Sequence, residues 1–119
     1  MMTKREPDPS TFLPLTPAIA HILLALADED RHGYAIMQEI QRMTDDAVRM
    51  GPGTLYGTIK RMIASGLLEE ADERPDPSMD DERRRYYRAT PLGRAVLAAE
   101  TNRMAGLVSA ARAKRVRAR

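Results

Sequence analysis

Twice in this chain a threonine is followed by a proline and then by apolar residues at helical spacing: Thr16-Pro17 and Thr90-Pro91. A threonine hydroxyl can accept from the unpaired N–H groups of a helix's first turn, and proline at the first helical position has no N–H to leave unpaired. Each pair therefore marks a helix start. After the first, Ile19, Ile22, Leu23 and Leu26 supply a buried stripe, so a helix is expected to run to about Ala27. After the second no proline interrupts the chain, and a long helix should continue past Val108 with Gly93 and Gly106 as its only weak spots.

Between these two starts, residues 28–31 read as a polar break and residues 33–44 as a second helix facing inward through Ile36, Met37, Ile40 and Met43. Gly51-Pro52-Gly53 then opens a third helix, with Leu55, Ile59, Met62 and Ile63 inward and Gly66 placed to end it in the left-handed conformation. Three short helices cannot enclose a core alone. Residues 67–71 and 84–89 have strand character, and the Pro- and Asp-rich segment 72–83 between them is too long for a tight turn. The expected fold class is mainly α with a small β-hairpin, in the order of a winged helix-turn-helix followed by a long C-terminal helix. Residues 1–15 are expected to form a mobile arm docking through Phe12. Residues 16–90 should form the winged DNA-binding domain, and residues 91–119 a dimerisation helix with a basic tail.

Composition narrows the chemistry. Of 119 residues, 43% are hydrophobic and 30% charged, which suits one globular domain. There is no cysteine, so disulfides, thiol catalysis and Cys-based zinc sites are excluded. His21 and His32 are too few for an all-histidine metal site. Aromatics at 4% leave little for a stacking platform on single-stranded nucleic acid. No apolar run approaches the roughly 20 residues that span a bilayer, and no hydrophobic signal segment opens the chain, so a soluble, cytoplasmic protein with no membrane partner is expected. Asp28-Glu29-Asp30 beside His32 contains ligand-type residues, but it occupies a short interhelical turn with no second cluster to complete a site. Neither enzyme activity nor a cofactor or metal is expected.

The net charge is only +2, and its distribution says more than its size. Acids gather at residues 28–30, 45–46 and 69–82, Arg83-Arg84-Arg85 forms a basic knot, and after Glu100 every charged side chain is basic. On the third helix, Thr54, Thr58, Arg61 and Ser65 are expected to point away from Leu55, Ile59 and Ile63, with Tyr56 and Lys60 toward one flank. Small hydroxyl residues near a helix start can reach base edges, Gly53 leaves backbone N–H groups open to a phosphate, and Lys60 and Arg61 supply charge for the backbone. An ordinary amphipathic helix with a solvated polar face would carry the same spacing.

His32-Gly33-Tyr34-Ala35-Ile36, Gly53-Thr54-Leu55-Tyr56, Ile59-Lys60-Arg61-Met62, Gly66-Leu67-Leu68 and Arg85-Tyr86-Tyr87-Arg88-Ala89-Thr90-Pro91-Leu92-Gly93 together resemble the PadR family of transcriptional regulators. The resemblance runs from about Leu15 to Leu97. It implies a dimeric repressor of double-stranded DNA, often responsive to a small-molecule effector, and at this length the family's short subfamily. Carried over residue by residue, it puts the recognition helix on residues 53–65, the characteristic tyrosine on Tyr56 and the basic pair on Lys60 and Arg61. The expected DNA contacts are then Gly53, Thr54, Tyr56, Thr58, Lys60 and Arg61, with Arg83, Arg84 and Arg85 at the base of the wing. One departure is the wing itself, which carries Asp76, Asp80, Asp81 and Glu82 and no glycine; those acids would be repelled by phosphate.

On the last helix, Leu97, Met104, Leu107, Val108 and Ala111 form a stripe on a different side from Leu92, Val96 and Ala99. The second stripe can close the winged domain while the first pairs with another copy, giving a homodimer on a pseudo-palindromic operator. Tyr34, Tyr86 and Tyr87 read as half-buried residues with surface hydroxyls, or as the lining of a ligand cavity. The competing functional class is a winged-helix protein-interaction module that binds no specific DNA.

Overall fold

Both threonine–proline pairs open helices in the computed structural model, which describes residues 7–71 and 85–116. Thr16 Oγ1 accepts from Ile19 N at 3.3 Å to start α1 (Pro17–Ala25), and Thr90 Oγ1 accepts from Gly93 N at 3.0 Å to start α4 (Pro91–Ala113). Between them lie β1 (Arg31–His32), α2 (Gly33–Met43), α3 (Pro52–Ala64), β2 (Leu68–Ala71) and β3 (Tyr86–Ala89). The fold is mostly helical with one antiparallel sheet, a winged-helix arrangement.

Helix α3 ends as its glycine requires. Gly66 takes φ +84°, its N–H reaches Ile63 O at 3.1 Å, and Leu67 N reaches Met62 O at 2.9 Å, the paired bonds of a Schellman motif. Helices α2 and α4 end the same way with non-glycine residues in the left-handed position, Asp45 (φ 51°) and Arg115 (φ 62°).

The sheet differs from the expected two-stranded hairpin. Its order is β1-β3-β2, with Arg31 opposite Tyr87 and His32 opposite Tyr86, so part of the expected polar break is a strand. Two residues are too short to show a period in sequence; they pair because β3 offers them its free edge. Helix α1 is also shorter than expected, with Leu26 as its C-cap. There Arg31 Nε donates to Ala25 O at 2.8 Å, while its guanidinium pairs with Asp28 (3.2 Å) and Glu29 (3.4 Å). The acidic turn thus holds the arginine that caps α1.

The core joins Ile22, Leu23 and Leu26 of α1 to Ile36 and Ile40 of α2, Leu55, Ile59 and Met62 of α3, Leu68, Tyr87 and Ala89 of the sheet, and Val96 of α4. Ile63, expected inward, is 36% exposed at the rim. Residues 8–15 contain a 3-10 turn (Pro9–Phe12), and Phe12, Leu13 and Leu15 pack against the core. Glu100 of α4, only 1% exposed, fastens this segment: Oε2 accepts from Leu15 N at 3.0 Å and Oε1 pairs with Arg103 Nε at 2.6 Å. The Arg103 hydrogen bond, helped by the Leu15 N–H, holds the Glu100 carboxyl below the usual carboxylate range despite its burial.

His32 caps α2, its Nδ1 accepting from Ala35 N at 3.2 Å, and meets the Tyr86 ring edge-on at a centroid distance of 5.4 Å. That bond needs an unprotonated Nδ1, and burial lowers the imidazole's pKa below the ordinary value of 6.5. The unfolded chain therefore takes up the proton first as pH falls. The stabilisation is complete above about pH 6.5 and disappears on descending toward the lower folded value. Between pH 7.5 and 5.5 the wild-type urea midpoint should therefore fall. His32→Asn, which keeps a cap acceptor that does not titrate, should remove most of that slope; an unchanged slope would refute the assignment.

Candidate nucleic-acid interface

Helix α3 begins without a side-chain cap. Gly51 and Gly53 have open space where a Cβ would stand, and Thr54 is exposed, so the first-turn N–H groups face outward. Such an end favours an anion through its partial positive charge and its unpaired donors. Lys60 and Arg61 are exposed farther along the same helix. Gly53, Thr54, Lys60 and Arg61 thus share an accessible surface on one element.

Two expected contacts are placed differently. Thr58 is 2% exposed, so it is not on the polar face; its hydroxyl donates to Thr54 O at 2.7 Å and accepts from Arg61 Nη2 at 3.2 Å. The reason is its place in the helix: Thr58 is three residues after Leu55 and four before Met62, so Leu55, Thr58, Ile59 and Met62 form one buried stripe, with Ile63 at its edge. Thr58 thus steadies Arg61 from inside the helix packing. Tyr56 is half-buried and its ring lies over α2: a Cβ added to Gly33 would stand 2.3 Å from the Tyr56 hydroxyl oxygen. It joins α3 to the start of α2, where Gly33 leaves room for the ring.

Arg85 is exposed at the start of β3 and pairs with Glu70 of β2 at 3.5 Å. Arg83 and Arg84 lie outside the described residues, as do Asp76, Asp80, Asp81 and Glu82. Sequence reasoning missed Glu70. It stands beside Arg85 in a cleft of about 370 Å³ between α3 and the sheet, also lined by Tyr56, Lys60 and Ile63. A second groove of about 340 Å³ runs between the Phe12–Leu15 segment, Ile19 and the Arg61–Ser65 end of α3.

The second expected surface is on α4. Residues 101–110 are all exposed, with Met104 at 45%, Leu107 at 65% and Val108 at 48%. Leu97, assigned by spacing to the same stripe, is half-buried against its own core, and Ala111 is half-buried. The apolar stripe left to solvent therefore begins at Met104, one turn beyond the Glu100–Leu15 contact.

Among the described residues no group of three or more His, Cys, Asp or Glu side chains could hold a metal ion, and no helix is long and apolar enough to cross a membrane. Residues 22–99 match the family model described as the transcriptional regulator PadR-like family. The chain is 44% identical over 77 residues to the transcriptional regulator Rv3488 of Mycobacterium tuberculosis, a match covering 65% of each protein. It is 38% identical over 86 residues to an uncharacterized protein in a transposon of Streptomyces fradiae, spanning only 22% of that protein. Thus it covers less than two-thirds of the length of either relative. Among solved structures it is similar to a transcriptional regulator from Clostridium thermocellum (26% identity, TM-score 0.65, covering 84% of this chain and 90% of that one). The fold is also shared with a PadR family transcription regulator from Clostridium difficile (22% identity, TM-score 0.66, covering 82% and 96%).

Proposed function

The chain belongs to the PadR-like family of transcriptional regulators, a family of regulators and not of enzymes, and on that footing we propose that it is a sequence-specific repressor that binds duplex DNA as a homodimer. Helix α3 enters the major groove, with Thr54 at base edges and the Gly53 end, Lys60 and Arg61 on the phosphates. Arg85, and Arg83 and Arg84 beside it in sequence, meet the neighbouring backbone. Residues 16–90 are the DNA-binding unit, and α4 joins two copies so that a pseudo-palindromic operator is read. A small-molecule effector releasing the DNA completes the reading. The observation that carries it is the accessible row on α3: an uncapped helix start followed by Thr54, Lys60 and Arg61, all exposed.

The test is selection of sheared source-genome DNA at near-physiological salt, followed by sequencing. Enrichment of upstream regions sharing an inverted repeat is the expected result. Retention without enrichment would reduce the protein to a non-specific polyanion binder, and no retention would favour a protein-interaction module. On a recovered site, Lys60→Ala should weaken all sequences about equally and lower the slope of log affinity against log salt by about 0.9 for each phosphate that is no longer neutralised. Thr54→Ala should instead change the ranking of sites. If neither variant moves binding or its salt slope, α3 is not the reading helix.

A further inference from the structure

Strand β2 alternates its faces. Leu68 and Glu70 lie on the side that carries Tyr87 and Ala89 of β3, the side turned to the core, whereas Glu69 faces the other way and pairs with Arg88 at 3.3 Å. Glu70 therefore directs an acid toward α3, at the open end of the face that Leu68 and Tyr87 close. There it meets Arg85 at 3.5 Å, in the cleft that Lys60 enters from the helix. Both ends of the pair are about half exposed, so the guanidinium sits where solvent, and an anion competing with Glu70, can reach it.

When α3 occupies a major groove, the phosphates bordering that groove must pass the flank of the helix, and on this flank the cleft opens toward the sheet. A guanidinium is suited to bidentate contact with either carboxylate or phosphate. We infer that Glu70 is an internal stand-in for a DNA phosphate: it occupies Arg85 in the free protein, and on DNA Arg85 exchanges the carboxylate for a backbone phosphate beside Lys60. The inference rests on the DNA-binding reading above and adds a regulation of that site. The exchange lowers backbone affinity, because each phosphate contact by Arg85 must first break an internal ion pair and then leave Glu70 near the polyanion. Sequence-independent binding is almost wholly electrostatic, so this restraint falls on non-specific DNA in full.

The probe is a fluorescently labelled 30-base-pair duplex of random sequence, titrated with the full chain across a salt series. Glu70→Gln, nearly isosteric and on an exposed side chain, should tighten binding roughly eightfold per protomer at 0.1 M salt and steepen the salt slope by about 0.9 per protomer, because no freed carboxylate then takes back the cation that the Arg85–phosphate contact releases. In an Arg85→Gln background, where only repulsion by the acid is relieved, the same substitution should gain no more than about twofold and leave the slope nearly unchanged. Unchanged affinity and slope in Glu70→Gln would overturn the exchange. So would an equal gain in the Arg85→Gln background, which would mean that the acid merely repels DNA from a distance. A wild-type protein whose binding shows no salt slope, with Lys60→Gln no different, would instead overturn the DNA reading itself.

Discussion

Gly93→Ala is expected to cost about 3 kcal/mol of folding stability, read as a lower urea midpoint at an unchanged denaturant slope. A Cβ at this position would stand 2.2 Å from the Leu67 carbonyl oxygen and 3.2 Å from a Leu23 methyl. The obstructing atom is backbone and cannot rotate away. It is also engaged, since Leu67 O accepts from Thr90 N at 3.1 Å, and Thr90 Oγ1 donates to Gly66 O at 2.5 Å. Separating α4 from this turn to admit a methyl group would break both bonds where the last helix docks on the Gly66–Leu67 turn that follows α3. Gly106 is the control: it lies in the same helix with open space at its Cβ position. Gly106→Ala should stabilise the helix by about 0.5–1 kcal/mol, because alanine gives up less backbone freedom on folding. Equal effects at the two glycines would show that helix propensity, and not the approach to Leu67, governs Gly93.

Leu107→Asp should turn a dimer into a monomer. Met104, Leu107 and Val108 follow one another at helical spacing on a segment whose ten residues, 101–110, are all exposed in the isolated chain. A leucine taken out of water stabilises by about 1.5–3 kcal/mol. In a twofold interface that stabilisation is removed twice, so self-association should weaken by at least about 100-fold. Sedimentation equilibrium from nanomolar to micromolar protein measures it directly. DNA affinity should fall in parallel, since a monomer reads one half-site, while the urea midpoint under monomeric conditions should hardly move. A wild-type chain that sediments as a monomer throughout, or a variant that still dimerises as tightly, would remove α4 as the seam.

The elements that could be read from sequence are those whose causes are local. Thr16, Thr90 and Gly66 act within one turn of their own helices, through a hydroxyl on a nearby N–H or a positive φ that glycine tolerates. Each helix start and the end of α3 therefore stood within two residues of where the fold has them. The apolar periods of α1 and α2 likewise named Ile22, Leu23, Ile36 and Ile40 as core. On α3 the same local reasoning put Gly53, Thr54, Lys60 and Arg61 on the exposed side, because exposure on a helix follows from the period once the buried side is known.

It failed where a residue's environment is made by two or more distant segments. Ile63 reads as inward beside Ile59, yet it stands 36% exposed at the rim, where the cover over α3 ends. Leu97 shares a stripe with Met104, yet it lies beside the core while Met104 lies beyond it, because the domain beneath α4 ends near Glu100. Glu100 itself reads as an ordinary helix acid until Leu15, far away in sequence, brings it an N–H. Gly93 and Gly106 are indistinguishable as letters in one helical run. The sequence by itself determined where helices begin and end and which of their faces are apolar, since those depend on neighbours within about four positions. Only the tertiary structure decided where the cover over each face ends, which apolar stripe stays bare and which acid meets Arg85, since each of those depends on atoms brought together by the packing of separate elements.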